Sequence, residues 1–289
     1  MTVSPVKLLE GKSLTGPIQD EIKSFVESCR AAGREVPGLR VLQANQDPSS
    51  SWYIGQQEKL AAKLGLHFEK IGPEKIRHQE DLLRCLAESG DAARFHGLFL
   101  AMPFPAGFDA ERILLALDPK KDVEGVHPAS LGLMVLRKAR LVPPTAFAAY
   151  RLIQASGISL KGKRAAIVGQ SAIVGRPLQL LLGDERVTTT VCNSATSAAD
   201  LEKIISESDI VVGCCGQPRL IRGSWIKPGA VVIDVGTTEV DGKLVGDIEF
   251  DAASERASFI TPVPGGVGPL TVTMLMSNLV QAYRWQKGL

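Results

Sequence analysis

Among the residues whose type and spacing suit chemistry, the fullest run begins at Gly169. The apolar stretch Arg164–Val168 leads into Gly169-Gln170-Ser171-Ala172-Ile173-Val174-Gly175-Arg176-Pro177. Gly169 permits a tight turn, and Pro177 marks the start of a helix. Free N–H groups at a helix start favour a pyrophosphate. The spacing is not Gly-x-Gly-x-x-Gly, so a plain strand-to-helix turn explains it equally well. After the next strand come Cys192-Asn193-Ser194-Ala195-Thr196, about where a dinucleotide site reads the ribose 2′ position. An acid there selects NAD and a basic group accommodates NADP. This chain has neither, which leaves both cofactors open.

The other candidates are sparser. Met102-Pro103-Phe104-Pro105 follows the apolar run Gly97–Ala101, and its two prolines cannot continue a strand. A rigid apolar loop at that edge is a usual place for a site. The cysteines, Cys29, Cys85, Cys192, Cys214 and Cys215, are five in number without Cys-x-x-Cys spacing. They predict neither a disulfide framework nor a zinc site, and the vicinal pair reads as small buried hydrophobes. His67, His78, His96 and His127 are scattered and predict surface or cap roles, so no metal is expected. Asp234 ends a strand; ligand contact and the loop's own hydrogen bonds explain it equally well. Trp52 and Trp225 read as packing residues.

These residues need a scaffold of parallel strands and crossover helices. Short apolar runs alternate with amphipathic stretches along the whole chain, without repeats. In the first half, helices are expected over Leu14–Ala32, Ser50–Leu64 and Gln79–Glu88, with strands at Leu39–Leu42 and Gly97–Ala101. Pro143-Pro144 is a natural break. Strands then follow at Arg164–Val168, Thr188–Cys192, Ile210–Cys214 and Ala230–Val235, with helices at Pro177–Leu182, Asp200–Ser206 and Leu270–Trp285. The expectation is an α/β protein of two α/β lobes with an interdomain cleft, the second lobe a Rossmann-like parallel sheet.

Bulk properties exclude several classes. The 289 residues suffice for two cores. Lys and Arg total 33 against 31 acids, a formal charge of +2, which argues against nucleic acid or an anionic membrane as partner. No apolar run approaches the roughly 18 residues of a membrane helix. Met1–Gly11 holds just Leu8-Leu9 where a signal peptide needs a continuous apolar stretch. Cytoplasmic localisation is the expectation.

From about Leu8 to the last helix the sequence resembles the bifunctional methylenetetrahydrofolate dehydrogenase/methenyltetrahydrofolate cyclohydrolase family. The most specific stretch is Ile260-Thr261-Pro262-Val263-Pro264-Gly265-Gly266-Val267-Gly268-Pro269-Leu270-Thr271. The glycine loop Val168–Pro177, Val232–Gly236, Val245–Asp247, Lys121–Gly125 and Pro103–Pro105 match in the family's order. The resemblance implies an N-terminal folate-binding catalytic domain over residues 1–143, with helix 270–289 packing back on it. It implies an NAD(P)-binding domain over 144–269, and a homodimer. It further implies oxidation of methylenetetrahydrofolate to the methenyl compound with NAD or NADP, then hydrolysis to the formyl compound. The implied dinucleotide residues are Gly169, Gln170, Ser171, Gly175, Arg176, Pro177, Ser194, Thr196, Cys215 and Gly236. Tyr53, Ala101, Pro103, Glu124, Pro264, Gly265 and Gly266 fall at folate positions.

The departures are concentrated in one place. The family's active-site helix reads Ser-x-x-Tyr-x-x-x-Lys, so tyrosine and lysine share a face. Here it reads Ser50-Ser51-Trp52-Tyr53-Ile54-Gly55-Gln56-Gln57, with Gln57 in the lysine's place. Lys59 lies two residues on and is expected on a different side. The glutamine that holds that lysine has become Ala101, the folate-anchoring aspartate Glu124, and Pro-Cys-Thr-Pro has become Pro143-Pro144-Thr145-Ala146. Tyr53, Gln57 and Glu124 are therefore the catalytic candidates, and cyclohydrolase activity is expected to be weak or lost. The alternatives are an inactive folate- or nucleotide-binding paralogue, or an enzyme retuned to another substrate.

Overall fold

The computed structural model describes residues 6–289. Residues 1–5, which begin the expected first domain and the Met1–Gly11 segment, lie outside the described residues. In chain order the elements are β1 (Lys7–Leu8), α1 (Lys12–Ala31), β2 (Gly38–Leu42), α2 (Pro48–Leu64), β3 (His67–Ile71), α3 (Gln79–Asp91), β4 (Gly97–Leu100), α4 (Ala110–Ala116), α5 (Pro128–Val135) and α6 (Pro144–Ala155). Then come β5 (Arg164–Val168), α7 (Gly175–Asp184), β6 (Thr188–Cys192), α8 (Ala198–Ser206), β7 (Ile210–Gly213), β8 (Val231–Asp234), β9 (Thr238–Val240), β10 (Lys243–Val245), α9 (Phe250–Ser254), β11 (Phe259–Ile260) and α10 (Val267–Lys287). The chain divides into two compact units. One comprises residues 16–144 and 272–289, the other the segment up to Thr15 together with 145–271.

The unit of residues 16–144 and 272–289 carries a three-stranded sheet in the order β3-β2-β4, parallel throughout. Alternating side chains serve its two faces, as the two-residue period of a strand requires. Leu39, Val41 and Phe99 join Ile54, Ala61, Leu64, Val123, Leu275 and Leu279 in one core. Leu42, Leu98 and Leu100 join Leu82, Leu86 and Ile113 in another. Helix α2 is well delimited. Asp47 caps it, accepting from the Ser50 N–H at 2.7 Å, Pro48 opens it, and Gly65 closes it in the left-handed region at φ 71°.

The other unit carries a six-stranded parallel sheet in the order β1-β11-β8-β7-β5-β6. Ala166, Val168, Val211 and Val232 lie in its core with Leu201, Ile205, Ile226 and Ile260. β9 and β10 form a separate antiparallel hairpin.

The structure corrects several expectations. Strand β3 is absent from the sequence reading because His67-Phe68-Glu69-Lys70-Ile71 lacks an apolar run; as an edge strand it keeps most of these side chains partly exposed. Glu69 accepts ion pairs from Arg40 at 2.9 Å and Arg94 at 2.8 Å. Trp52 is 63% exposed, so it is no packing residue. Cys214 and Cys215 lie just past β7 and are half-buried, whereas Cys29, Cys85 and Cys192 are buried; all five are free. His78 and His127 stand at the N-caps of α3 and α5. His96 instead lies in the core, where its Nδ1 accepts the Gly38 N–H at 3.2 Å and burial lowers its pKa to about 4.

The last helix is fastened to its own unit by a polar side chain. Buried Asn278 donates through Nδ2 to the carbonyls of Val123 at 2.7 Å and Val142 at 2.8 Å. Asn278→Ala leaves both carbonyls short of a donor, at about 1–3 kcal/mol for each unpaired group. Urea unfolding of this variant is expected to show a midpoint well below that of the parent.

Candidate functional site

In the three-stranded sheet the chain passes from β2 to β3 on one side and returns to β4 on the other. The strand order therefore reverses between β2 and β4, and the loops beyond their C-terminal ends diverge there, where ligands bind in parallel sheets. Asn45, three residues past β2, bridges this opening. Its Nδ2 donates to the carbonyls of Ala101 at 3.1 Å and Pro103 at 2.9 Å. The Ser50 hydroxyl reaches the Met102 carbonyl at 3.4 Å, so the start of α2 holds the same loop. The Met102–Pro103 bond is cis and Pro103 is exposed.

Helix α2 turns Ile54, Gln57, Ala61 and Leu64 inward. Gln57 is fully buried on that apolar face, and neither its Nε2 nor its Oε1 has a partner. Lys59 is exposed, as its register requires. Four residues before Gln57, Tyr53 packs on Phe99 with ring centroids 5.9 Å apart. Burial and the nearby Glu124 carboxylate push the Tyr53 hydroxyl far above the ordinary tyrosine value, which keeps it a neutral donor. Ala101 is buried just past β4, and its methyl offers no polar atom. Ser50, Tyr53, Ala101, Pro103 and Glu124 thus stand about the β2–β4 opening, with Gln57 one turn along α2 from Tyr53 on the buried face.

Glu124 follows the buried Asp122, whose Oδ2 accepts from the His127 N–H and the Ser130 hydroxyl, each at 2.8 Å. Glu124 Oε2 is sealed from solvent without a partner. Burial, then the Asp122 charge, raises the Glu124 carboxyl well above its ordinary value of 4.5. Leaving a buried polar atom unpaired costs about 1–3 kcal/mol. Five such atoms, two on Gln57 and one each on Gln43, Asp122 and Glu124, suit a site shaped for a ligand rather than for stability. Asn45, Gln43 and Asp122 were missed as site residues from sequence. The signal was present in the polar Gln43-Ala44-Asn45 straight after an apolar strand.

The six-stranded sheet has its own reversal, between β5 and β7. The Gly169 turn lies on one side of it. Gly169 adopts φ 123°, and a Cβ there would meet the Cys214 carbonyl oxygen at 2.3 Å, so the turn needs glycine. Gln170, Ser171, Ala172 and Ile173 are exposed, and α7 begins at buried Gly175 without a side-chain cap. The Arg176 N–H donates to the Ser171 carbonyl at 3.2 Å and buried Pro177 carries no N–H, so this helix start offers an anion the Gly175 N–H and the exposed Arg176 side chain. Past β6, Ser194 is exposed and Thr196 half-buried; the Thr196 Oγ1 accepts the Asn193 N–H at 3.1 Å. These residues fit a dinucleotide's pyrophosphate and ribose. Cys215 and Gly236 lie past β7 and β8, on the other side of the reversal.

Asp234, at the end of β8, accepts the N–H groups of Gly236, Asp247 and Ile248, each at 3.0 Å. Its loop hydrogen bonds therefore explain it. Burial and Asp247 raise its carboxyl to about 7. Within the same unit Pro264 is exposed, Gly265 adopts φ 112°, and Gly266 is buried against Thr261 and Pro262. Among the described residues, no group of three or more His, Cys, Asp or Glu is placed to hold a metal ion. No helix among them is long and apolar enough to cross a membrane.

The raised carboxyl of Glu124 has a thermodynamic sign. The folded protein keeps this proton at pH values where the unfolded chain, near 4.5, has released it. This residue's contribution to stability therefore falls as pH rises above that value. Glu124→Gln is expected to melt higher than the parent at about pH 8, with the gain vanishing toward about pH 4, where both states hold the proton. Thermal melts of both proteins across that range check it; a gain independent of pH would contradict it.

Comparison with known proteins matches the chain in two consecutive segments. Residues 9–124 match the tetrahydrofolate dehydrogenase/cyclohydrolase catalytic domain, and residues 143–287 match the NAD(P)-binding domain of that family. The bifunctional protein FolD of Enterococcus faecalis is 42% identical over 283 residues, covering 97% of this chain and 99% of that protein. The FolD methylenetetrahydrofolate dehydrogenase-cyclohydrolase of Trypanosoma brucei, solved with NADP and an inhibitor, superposes with a TM-score of 0.94 at 36% identity, covering 99% of this chain and all of that one. A 5,10-methylenetetrahydrofolate dehydrogenase from the silkworm Bombyx mori gives 0.91 at 31% identity, covering 98% of this chain and all of that one. With both domains matched in order and relatives of this identity along nearly its whole length, the chain belongs to the tetrahydrofolate dehydrogenase/cyclohydrolase family.

Proposed function

We propose that this protein oxidises methylenetetrahydrofolate to methenyltetrahydrofolate with NAD or NADP, and that its cyclohydrolase step is weak or lost. The observation that carries the second part is Gln57, a buried amide in the position of the family's lysine, with both polar ends unpartnered. The two half-reactions ask different things of the protein. Oxidation of the methylene bridge is pushed by the flanking nitrogen lone pairs and needs alignment, not a base. The bound dinucleotide supplies the hydride acceptor. Hydrolysis requires water to attack the methenyl carbon and protons to move as the ring opens. A general acid/base group contributes typically ~10²–10⁴-fold to such a step, and an amide cannot titrate.

The residues divide accordingly. Tyr53 packs beside the pterin, and Glu124, whose carboxyl burial raises well above its ordinary value, bonds its polar edge. Pro103 and the Ala101 carbonyl, pinned by Asn45, line the same site. Gln57 offers an N–H donor and a carbonyl acceptor where a lysine ammonium would carry charge. Pro264, Gly265 and Gly266 bring backbone close to the ligand. On the dinucleotide, Gly169, Gln170, Ser171, Gly175, Arg176 and Pro177 take the pyrophosphate, Ser194 and Thr196 the ribose, and Cys215 and Gly236 the nicotinamide end. A homodimer belongs to the same proposal.

Absorbance of the methenyl compound tests this directly, with methylenetetrahydrofolate and NAD or NADP in separate cuvettes. Methenyl product is expected to form and accumulate, and the faster cuvette names the cofactor. Enzyme-dependent decay of that product well above the buffer rate would refute the loss of hydrolysis. Absence of signal with either cofactor, alongside tight folate or dinucleotide binding, would make the chain a binding protein instead.

Restoring the family's pair provides a gain-of-function check. Gln57→Lys combined with Ala101→Gln returns a titratable group and the amide that holds it. This double variant is expected to hydrolyse methenyltetrahydrofolate roughly 10²-fold or more faster than the parent, read as loss of methenyl absorbance.

A further inference from the structure

The reversal between β5 and β7 has two walls. The Gly169 turn forms one, and the backbone of Cys214, Cys215 and Gly216 past β7 forms the other. Cys214 lies against the first wall, donating its N–H to Val168 at 2.8 Å and its thiol toward the Gly169 carbonyl at 3.6 Å. Past Cys214 the segment has left the sheet, and its next two N–H groups need acceptors. Both go to one atom. Asp247 Oδ2 accepts from Cys215 at 2.7 Å and Gly216 at 3.1 Å.

Asp247 is fully buried and is itself held in place. Its N–H and that of Ile248 donate to the two oxygens of Asp234, each at 3.0 Å. The Asp234 N–H in turn donates to the Thr261 hydroxyl at 2.7 Å, on the segment that runs into Pro262–Gly266. Space around both carboxylates is reserved by glycine. A Cβ at Gly246 would meet Asp234 Oδ2 at 2.0 Å, and one at Gly236 would meet Asp247 Oδ1 at 2.3 Å. The Oδ1 of Asp247 is buried without a partner. Two desolvated carboxylates side by side are expensive. Filling these positions with apolar groups would relieve that cost but would leave five backbone N–H groups without acceptors.

We infer that Asp247, braced by Asp234, is a positioning residue for the dinucleotide, fixing the Cys215–Gly216 backbone as the wall that faces the Gly169 turn. The inference rests on the dinucleotide reading of that turn. Neither carboxylate needs to touch the cofactor; Asp247 acts through the two N–H groups it orients. Preorganised backbone spares the ordering cost that a loose loop would take from binding.

Calorimetric titration of the cofactor-free protein with NAD and with NADP tests this, with tetrahydrofolate titrated as control. Asp247→Ala removes the acceptor that both N–H groups share and is expected to raise the dinucleotide Kd about tenfold or more. Asp247→Asn keeps an acceptor oxygen and is expected to recover most of that loss. The tetrahydrofolate Kd should stay within about twofold in both variants, as for sites that do not share partners. Should Asp247→Ala fail to fold, Asp234→Asn takes its place in the same titrations. It replaces one acceptor oxygen with a donor facing backbone N–H groups, and the same selective loss is expected. An unchanged dinucleotide Kd in the variant, or an equal loss of tetrahydrofolate affinity, would overturn the inference. A parent protein that binds neither NAD nor NADP would overturn the dinucleotide reading itself, and this inference with it.

Discussion

In a parallel sheet each strand must be followed by a crossover before the chain can pair again, and the crossover's direction is free to change. Where it changes, the two central strands send their following segments apart, and polar backbone at their C-terminal ends is left without a sheet partner. This protein has two such places, between β2 and β4 and between β5 and β7. Polar side chains in both candidate sites answer that shortage. Asn45 ties Ala101 and Pro103 at the first. Asp247 and Asp234 collect N–H groups at the second.

The two sites differ in how completely their polar atoms are satisfied. Around β5 and β7 most side-chain acceptors are used, and one buried acceptor, Asp247 Oδ1, lacks a partner. Around β2 and β4 the unsatisfied atoms belong to the side chains of Gln43, Asp122, Gln57 and Glu124. Gln57 and Glu124 stand where the resemblance expects other residues. Lysine to glutamine at 57 and glutamine to alanine at 101 amount to moving one amide from strand to helix while deleting one charge. A buried ammonium without a carboxylate partner would be far more costly than a buried amide. The exchange is therefore coherent for stability while removing the group best able to move a proton.

Much of the fold was legible because parallel strands buried on both faces read as continuous apolar runs. Arg164–Val168 and Thr188–Cys192 match their strands residue for residue. β3 was illegible because an edge strand can carry Glu69 and Lys70 without penalty. The two-residue strands β1 and β11 are too short to show a period, and their pairing joins residues about 250 apart in sequence. The short helices α4 and α9, of seven and five residues, are likewise below the length at which helical spacing stands out.

By itself the sequence determined the class of fold, the family motifs and the departures at positions 57, 101 and 124, because residue identity and order are local properties. It also settled that Lys59 is no substitute for Gln57, since a step of two residues on a helix changes face. The tertiary structure alone decided that Gln57 is sealed with both ends unpaired, that burial raises the Glu124 carboxyl, and that Asn45 and Asp247 hold loops far from them in sequence. Burial and hydrogen-bond partnership depend on which distant segments meet, and no spacing along the chain encodes that.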